Sequence, residues 1–246
     1  MKKGDAMKRI LAIVMILGML TGCASQKQTK AGEDPVEHVK ADEVITGNDT
    51  ACYTTEPTQE ELEACPEKPV IYLYPEEETR VHVELNFNGE LTSVYPAYEN
   101  GWNVVAAPDG TLTDPETGRE YYCLFWEGIS NVPYDFSEGF VVEGANTEAF
   151  LEETLKTLGL TDQEANEFII YWLPRMEGNA YNLISFQQET YTDNAVLKVE
   201  PAPDTVLRVF MAYQPLEYPI RVLPQKLETI ERTGFTLVEW GGAEIQ

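Results

Sequence analysis

The sequence predicts an α+β domain: an antiparallel β-sheet, a meander then further strands, with an inserted helical hairpin. Three observations predict it. Strand-like apolar runs occupy roughly residues 68 to 126 and again 182 to 240, Gly-containing turn signals recur about every ten residues in the first stretch, and two capped amphipathic segments lie between.

The first ordered element is Lys68-Pro69-Val70-Ile71-Tyr72-Leu73-Tyr74-Pro75, a proline-bounded run rich in β-branched and aromatic residues. Val81, Val83, Leu85 and Phe87 then alternate with polar neighbours, which predicts a strand with one wet face. Asn88-Gly89, Asn100-Gly101, Asp109-Gly110 and Thr117-Gly118 supply turns that tolerate positive φ. Tyr121 to Trp126 closes this half as an aromatic strand. Asn146 or Thr147 caps a helix whose Leu151, Leu155 and Leu158 share a face, and Gly159 ends it. Thr161 and Glu164 form a capping box for a second helix, with Ala165, Phe168, Ile169 and Trp172 at helical spacing and Pro174 as its stop. Strands are expected again at Asn182 to Gln188, Val196 to Glu200, Val206 to Tyr213, Ile220 to Leu223 and Gly234 to Trp240. No repeat or linker interrupts residues 67–246, so one domain is expected there, with a division near residue 145 as the alternative.

Ahead of the domain stands a segment of different character. Lys2, Lys3, Lys8 and Arg9 precede an apolar run from Ile10 to Leu20, followed by Thr21, Gly22 and Cys23. Such a run covers only about 16 Å as a helix, short of a bilayer core of about 30 Å. The layout is that of a signal peptide over residues 1–22, and Leu20-Thr21-Gly22-Cys23 resembles the lipobox of bacterial lipoproteins. That resemblance implies cleavage before Cys23, diacylation of its thiol, and a cell-membrane lipoprotein on the extracytoplasmic face. Residues 23–66 are polar, acidic and without sustained periodicity, and are expected to be a disordered tether with a short helix around Gln59 to Ala64. Outside the cytoplasm disulfides are permitted, and Cys52 and Cys65 are the candidate pair. Cys123, between Tyr122 and Leu124, reads as a buried thiol.

Composition narrows the function. With 17 basic against 42 acidic residues the net charge is −25, which repels nucleic acid and anionic lipid, so neither is an expected partner, and the membrane link is the lipid that the lipobox resemblance implies at Cys23. The chain has two histidines, His38 and His82, and lacks HExxH, GxSxG and phosphate-loop motifs, so neither a multi-histidine metal site nor a bound cofactor is expected. An enzyme built from this chain would have to rely on carboxylates. Glu127 beside Trp126 and Glu239 beside Trp240 are the candidate acid and base or nucleophile, with the two indoles able to stack on sugar. The competing reading makes both tryptophans core and both acids structural. Arg175, Arg208 and Arg232 are the candidate ligand-binding cations in a chain poor in them, and pairing with carboxylates is the alternative. Asp109 to Glu116 lacks the ligand spacing of an EF-hand and reads as a turn.

Several strings together carry a wider resemblance: Lys68-Pro69-Val70-Ile71-Tyr72-Leu73-Tyr74-Pro75, Gly101-Trp102-Asn103-Val104, Leu124-Phe125-Trp126-Glu127-Gly128, Tyr171-Trp172-Leu173-Pro174, Tyr181-Asn182-Leu183-Ile184-Ser185-Phe186, and the run from Arg232 to Gly242. They resemble an uncharacterised, largely bacterial protein family, some of whose members are lipoproteins. The resemblance implies one coherent domain over residues 68–242 and carries no functional residue with it. The reading adopted is a non-catalytic binding or structural protein of the cell envelope, with a glycan hydrolase using a carboxylate pair as the alternative and an acidic cation binder as a third.

Overall fold

The computed structural model describes residues 67–245. Strand β1 (Glu67–Tyr74) shows how the layers arise. Val70 and Tyr72 pack into one buried cluster and Ile71 and Leu73 into another, so alternation sends apolar side chains to both faces. A strand covered on both sides reads as a continuous apolar run.

β1 lies inside an eight-stranded sheet. Its order is β12 (Leu223–Pro224), β8 (Glu138–Glu143), β9 (Tyr181–Gln187), β11 (Thr205–Leu216), β13 (Thr236–Glu244), β1, β7 (Leu124–Ile129) and β3 (Glu90–Tyr95). A five-stranded sheet packs on one face, in the order β10 (Ala195–Glu200), β2 (Thr79–Phe87), β4 (Trp102–Ala106), β5 (Leu112–Thr113) and β6 (Glu120–Tyr121). Helices α1 (Thr147–Thr157) and α2 (Asp162–Met176) cover the other face through Leu151, Leu155, Phe168 and Trp172. The fold is α+β with an inserted helical hairpin, arranged as helices, sheet and sheet.

The hairpin forms where its local signals place it. The Glu164 N–H donates to Thr161 Oγ1 (3.3 Å) and the Thr161 N–H to Glu164 Oε2 (2.8 Å), a reciprocal capping box. Gly159 adopts φ 95° at the end of α1, a conformation that costs glycine little. Asn146 occupies the N-cap position of α1, yet its amide donates to the Glu143 carboxylate instead of accepting from the helix. Pro174 lies inside α2 rather than ending it. The last turn persists because Asn179 and Asn182 donate to the carbonyls of Arg175 and Met176.

The pairing departs from a simple meander in two ways. The chain turns at Asn88-Gly89 after β2, but β3 joins β7 in the other sheet, leaving β4 to pair with β2. Phe87 anchors the crossing against Trp126 (centroids 4.9 Å apart), and a Cβ on Gly89 would lie 2.2 Å from the Ile129 carbonyl oxygen. In addition, β11 runs parallel to β13, and β12 parallel to β8. β8 and a third helix, α3 (Glu189–Asn194), carry no periodic signal in the sequence. Tyr191 of α3 is buried by stacking on Phe210 at 4.0 Å.

Candidate functional site

The parallel register of β11 and β13 sets Arg208 directly beside Glu239. Both side chains turn toward the five-stranded sheet, where Arg208 Nε donates to Glu239 Oε2 at 2.6 Å. Trp126 Nε1 donates to the other carboxylate oxygen at 3.1 Å, and Glu239 has no solvent exposure. The guanidinium lies over the Tyr191 ring, 4.8 Å from its centroid. Burial alone would pull the Arg208 pKa down, but the Glu239 charge, Tyr191 and the hydrogen bond to Glu239 together outweigh it and hold the group above its ordinary value. Burial, reinforced by Glu239, raises the Tyr191 phenol well above its usual range. The result is a closed ion pair between the sheets, with Arg208 Nη2 and the Tyr191 hydroxyl buried beside it.

Glu127 stands elsewhere. Along β7, Leu124 and Trp126 face the five-stranded sheet, so Glu127 turns with Phe125 to the helical side and accepts from the Lys68 backbone N–H at 3.4 Å. Glu127 and Glu239 are therefore on opposite faces of one sheet, two strands apart. Trp126 and Trp240 are likewise on opposite faces and fully buried. The fold brings Trp126 to Glu239 but does not assemble the carboxylate pair or an indole platform.

Arg232 clamps the helical hairpin. Nη1 donates to Glu164 Oε1 at 3.1 Å, Nη2 pairs with Glu164 Oε2, and Nε reaches the Gly159 carbonyl at 3.0 Å. Burial pushes the Glu164 carboxyl up, yet hydrogen bonds from Arg232 and the Thr161 N–H outweigh it and leave it below the ordinary range. Arg175 lies over the Tyr171 ring at 3.9 Å and donates to the Tyr171 carbonyl at 2.5 Å. Beside the hairpin, the Tyr72 hydroxyl donates to Glu167 at 2.6 Å, and Lys68 Nζ lies over the Tyr171 and Trp240 rings. Burial pushes the Cys123 thiol up to about 12. Asp114 accepts from the N–H groups of Glu116 and Thr117, as a turn requires. Cys23, Cys52, Cys65 and His38 lie outside the described residues.

None of the nominated residues lines either of two concave features of the described surface. An apolar trough of about 700 Å³ runs between β8, Phe150 of α1 and the strap from Ile220 to Pro224. A polar cleft of about 330 Å³ is bounded by Asp135, Ser185, Gln187, Glu189 and Gln225. In the second, the Gln225 amide exchanges two hydrogen bonds with the Phe186 backbone, occupying a ladder position as a strand would. Of β8, α3 and the strap, which help to bound them, only the strap was expected, as a strand at Ile220 to Leu223, because β8 and α3 lack a periodic pattern.

The buried centre thus defines a class, a helix-covered two-sheet α+β domain with an internal ion pair. The chain is 33% identical over 126 residues to the Butyrivibrio fibrisolvens protein described as an uncharacterized protein in the bglA 3'region, and the match spans 49% of this chain and 96% of that protein. The chain belongs to the family of that bacterial protein. No family model matches it, and no solved structure does.

Proposed function

We propose that the protein is a lipid-anchored lipoprotein of the extracytoplasmic envelope whose domain works by binding or structural organisation rather than catalysis. One observation carries this reading: the basic segment, short apolar run and lipobox ending at Cys23. The resemblance of the strings from Lys68 to Gly242 to a family containing lipoproteins agrees with it. Among the described residues no helix is long and apolar enough to cross a membrane; the proposed anchor is a pair of acyl chains at Cys23.

The alternative, glycan hydrolysis, needs two carboxyl groups about 5 to 10 Å apart across an open cleft. Glu239 sealed against Arg208 and Glu127 on the opposite face weigh against it. The sugar-stacking reading of Trp126 and Trp240 is weakened by the same burial.

Expression of the wild-type chain and Cys23→Ala with a labelled fatty acid, followed by membrane fractionation, tests the proposal. Wild type should carry label and sediment with membranes. The variant should be unlabelled, and either released or retained as an uncleaved precursor. A Cys23→Ala chain that is cleaved, labelled and membrane-bound would overturn the assignment.

A further inference from the structure

The eight-stranded sheet ends on β12, which is two residues long. It meets β8 only at Leu223↔Glu138 and Pro224↔Gly139, so among the described residues no strand lies against the outer side of β8 from Phe140 to Val142. Alternate residues of an edge strand direct N–H and C=O outward, which makes a template for another extended chain. Edges are commonly blunted by charge, but this one borders the apolar trough, walled by Phe140, Val142, Phe150, Ile220, Val222 and Leu223. Tyr218, Ile220 and Leu223 on the strap are 76%, 50% and 65% exposed, a run of large apolar side chains facing solvent. Pro219 and Pro224, on either side of Arg221, hold the strap to extended or turn conformations.

Charge says what fits. Arg221 is the one charged residue lining the trough, it is exposed, and it has no ion-pair partner among the described residues. In a chain of net charge −25 a free guanidinium beside an apolar channel selects a ligand with a carboxylate. The same net charge opposes edge-to-edge pairing of two copies. We propose that the trough takes an extended segment of another protein by strand addition to β8, with apolar side chains at alternate positions along Phe140, Val142 and Phe150 and one acidic side chain against Arg221. Main-chain hydrogen bonds supply affinity in this mode, and the side-chain positions supply selectivity. The inference deepens the binding reading and rests on it, but it is independent of anchoring at Cys23.

The test uses the full chain and an array of acetylated, amidated heptapeptides with Val, Ile or Thr at alternate positions and a single Glu placed in turn at each remaining one. Fluorescence anisotropy should show saturable binding for one placement of Glu. Exchange of that Glu for Gln, or Arg221→Gln in the protein, should weaken it by about two- to fivefold, the range of an exposed ion pair. Leu223→Asp, at an exposed position where folding is checked by circular dichroism, should abolish binding. Absence of saturable binding across the array, or equal binding of Glu and Gln peptides, overturns the proposal. So does a dimer in sedimentation that Leu223→Asp dissolves, which would make a second copy the occupant, or binding of palmitate in the trough with the peptides ignored. Failure here leaves fatty-acid labelling at Cys23 unaffected, so the two readings fail separately.

Discussion

Replacing Arg208 with methionine tests how the centre of the molecule is held. Glu239 has no exposure, and its two oxygens are taken by Arg208 Nε at 2.6 Å and Trp126 Nε1 at 3.1 Å. Arg208→Met leaves the carboxylate with one neutral donor in a dry interior, and removing one partner of a buried pair costs about 3–5 kcal/mol. Glu239→Leu strands the guanidinium in the same way and adds about 1–3 kcal/mol for the orphaned indole N–H. The double variant Arg208→Met/Glu239→Leu removes both charges, so it should be more stable than either single one, short of wild type mainly by the Trp126 donor. Urea denaturation of the four proteins, with slopes checked for constancy, gives the coupling. A single-variant cost under about 1 kcal/mol, or a double-variant cost equal to the sum of the singles, would refute the account.

Two further outcomes follow from the other buried groups. Glu164 has a lowered folded-state pKa, so its contribution is present above the unfolded value of about 4.3 and is lost as pH falls through the folded one; Glu164→Gln should lower stability near neutrality and flatten the acid limb of the urea-midpoint curve. The Cys123 thiol, buried and pushed up to about 12, should resist iodoacetamide in the native protein at neutral pH and react once unfolded, and rapid native labelling would contradict its placement.

Much of the fold is legible in short windows of sequence. The period-two run from Val81 to Leu85 buries its odd residues, and the Thr161–Glu164 box starts α2 at Asp162. Both signals are complete within one strand or one turn. α3 is not legible, because Glu189-Thr190-Tyr191-Thr192-Asp193-Asn194 has no apolar stripe and is held by Tyr191 stacking on a residue of β11. Pro174 misleads for a related reason, since the carbonyls near it are bonded by Asn179 and Asn182 from beyond the helix. The two most distinctive strings, around Tyr72 and around Trp240, prove to be neighbouring central strands, with Val70 opposite Trp240 and Tyr72 opposite Val238.

Local sequence was enough for the α+β class, the helical hairpin with Gly159 and the Thr161–Glu164 box at its bend, the scarcity of cations and histidines, and the expectation of a lipid anchor at Cys23. Tertiary structure alone decided that Glu127 and Glu239 stand on opposite faces, that Arg208 and not Arg232 neutralises Glu239, and that Arg232 holds the hairpin through Glu164. The physical reason is one of range. Alternation and capping are fixed by neighbours within a few residues, whereas the face a carboxylate turns to and the cation it meets depend on register between strands such as β11 and β13. That register is set by packing on both sides of the sheet.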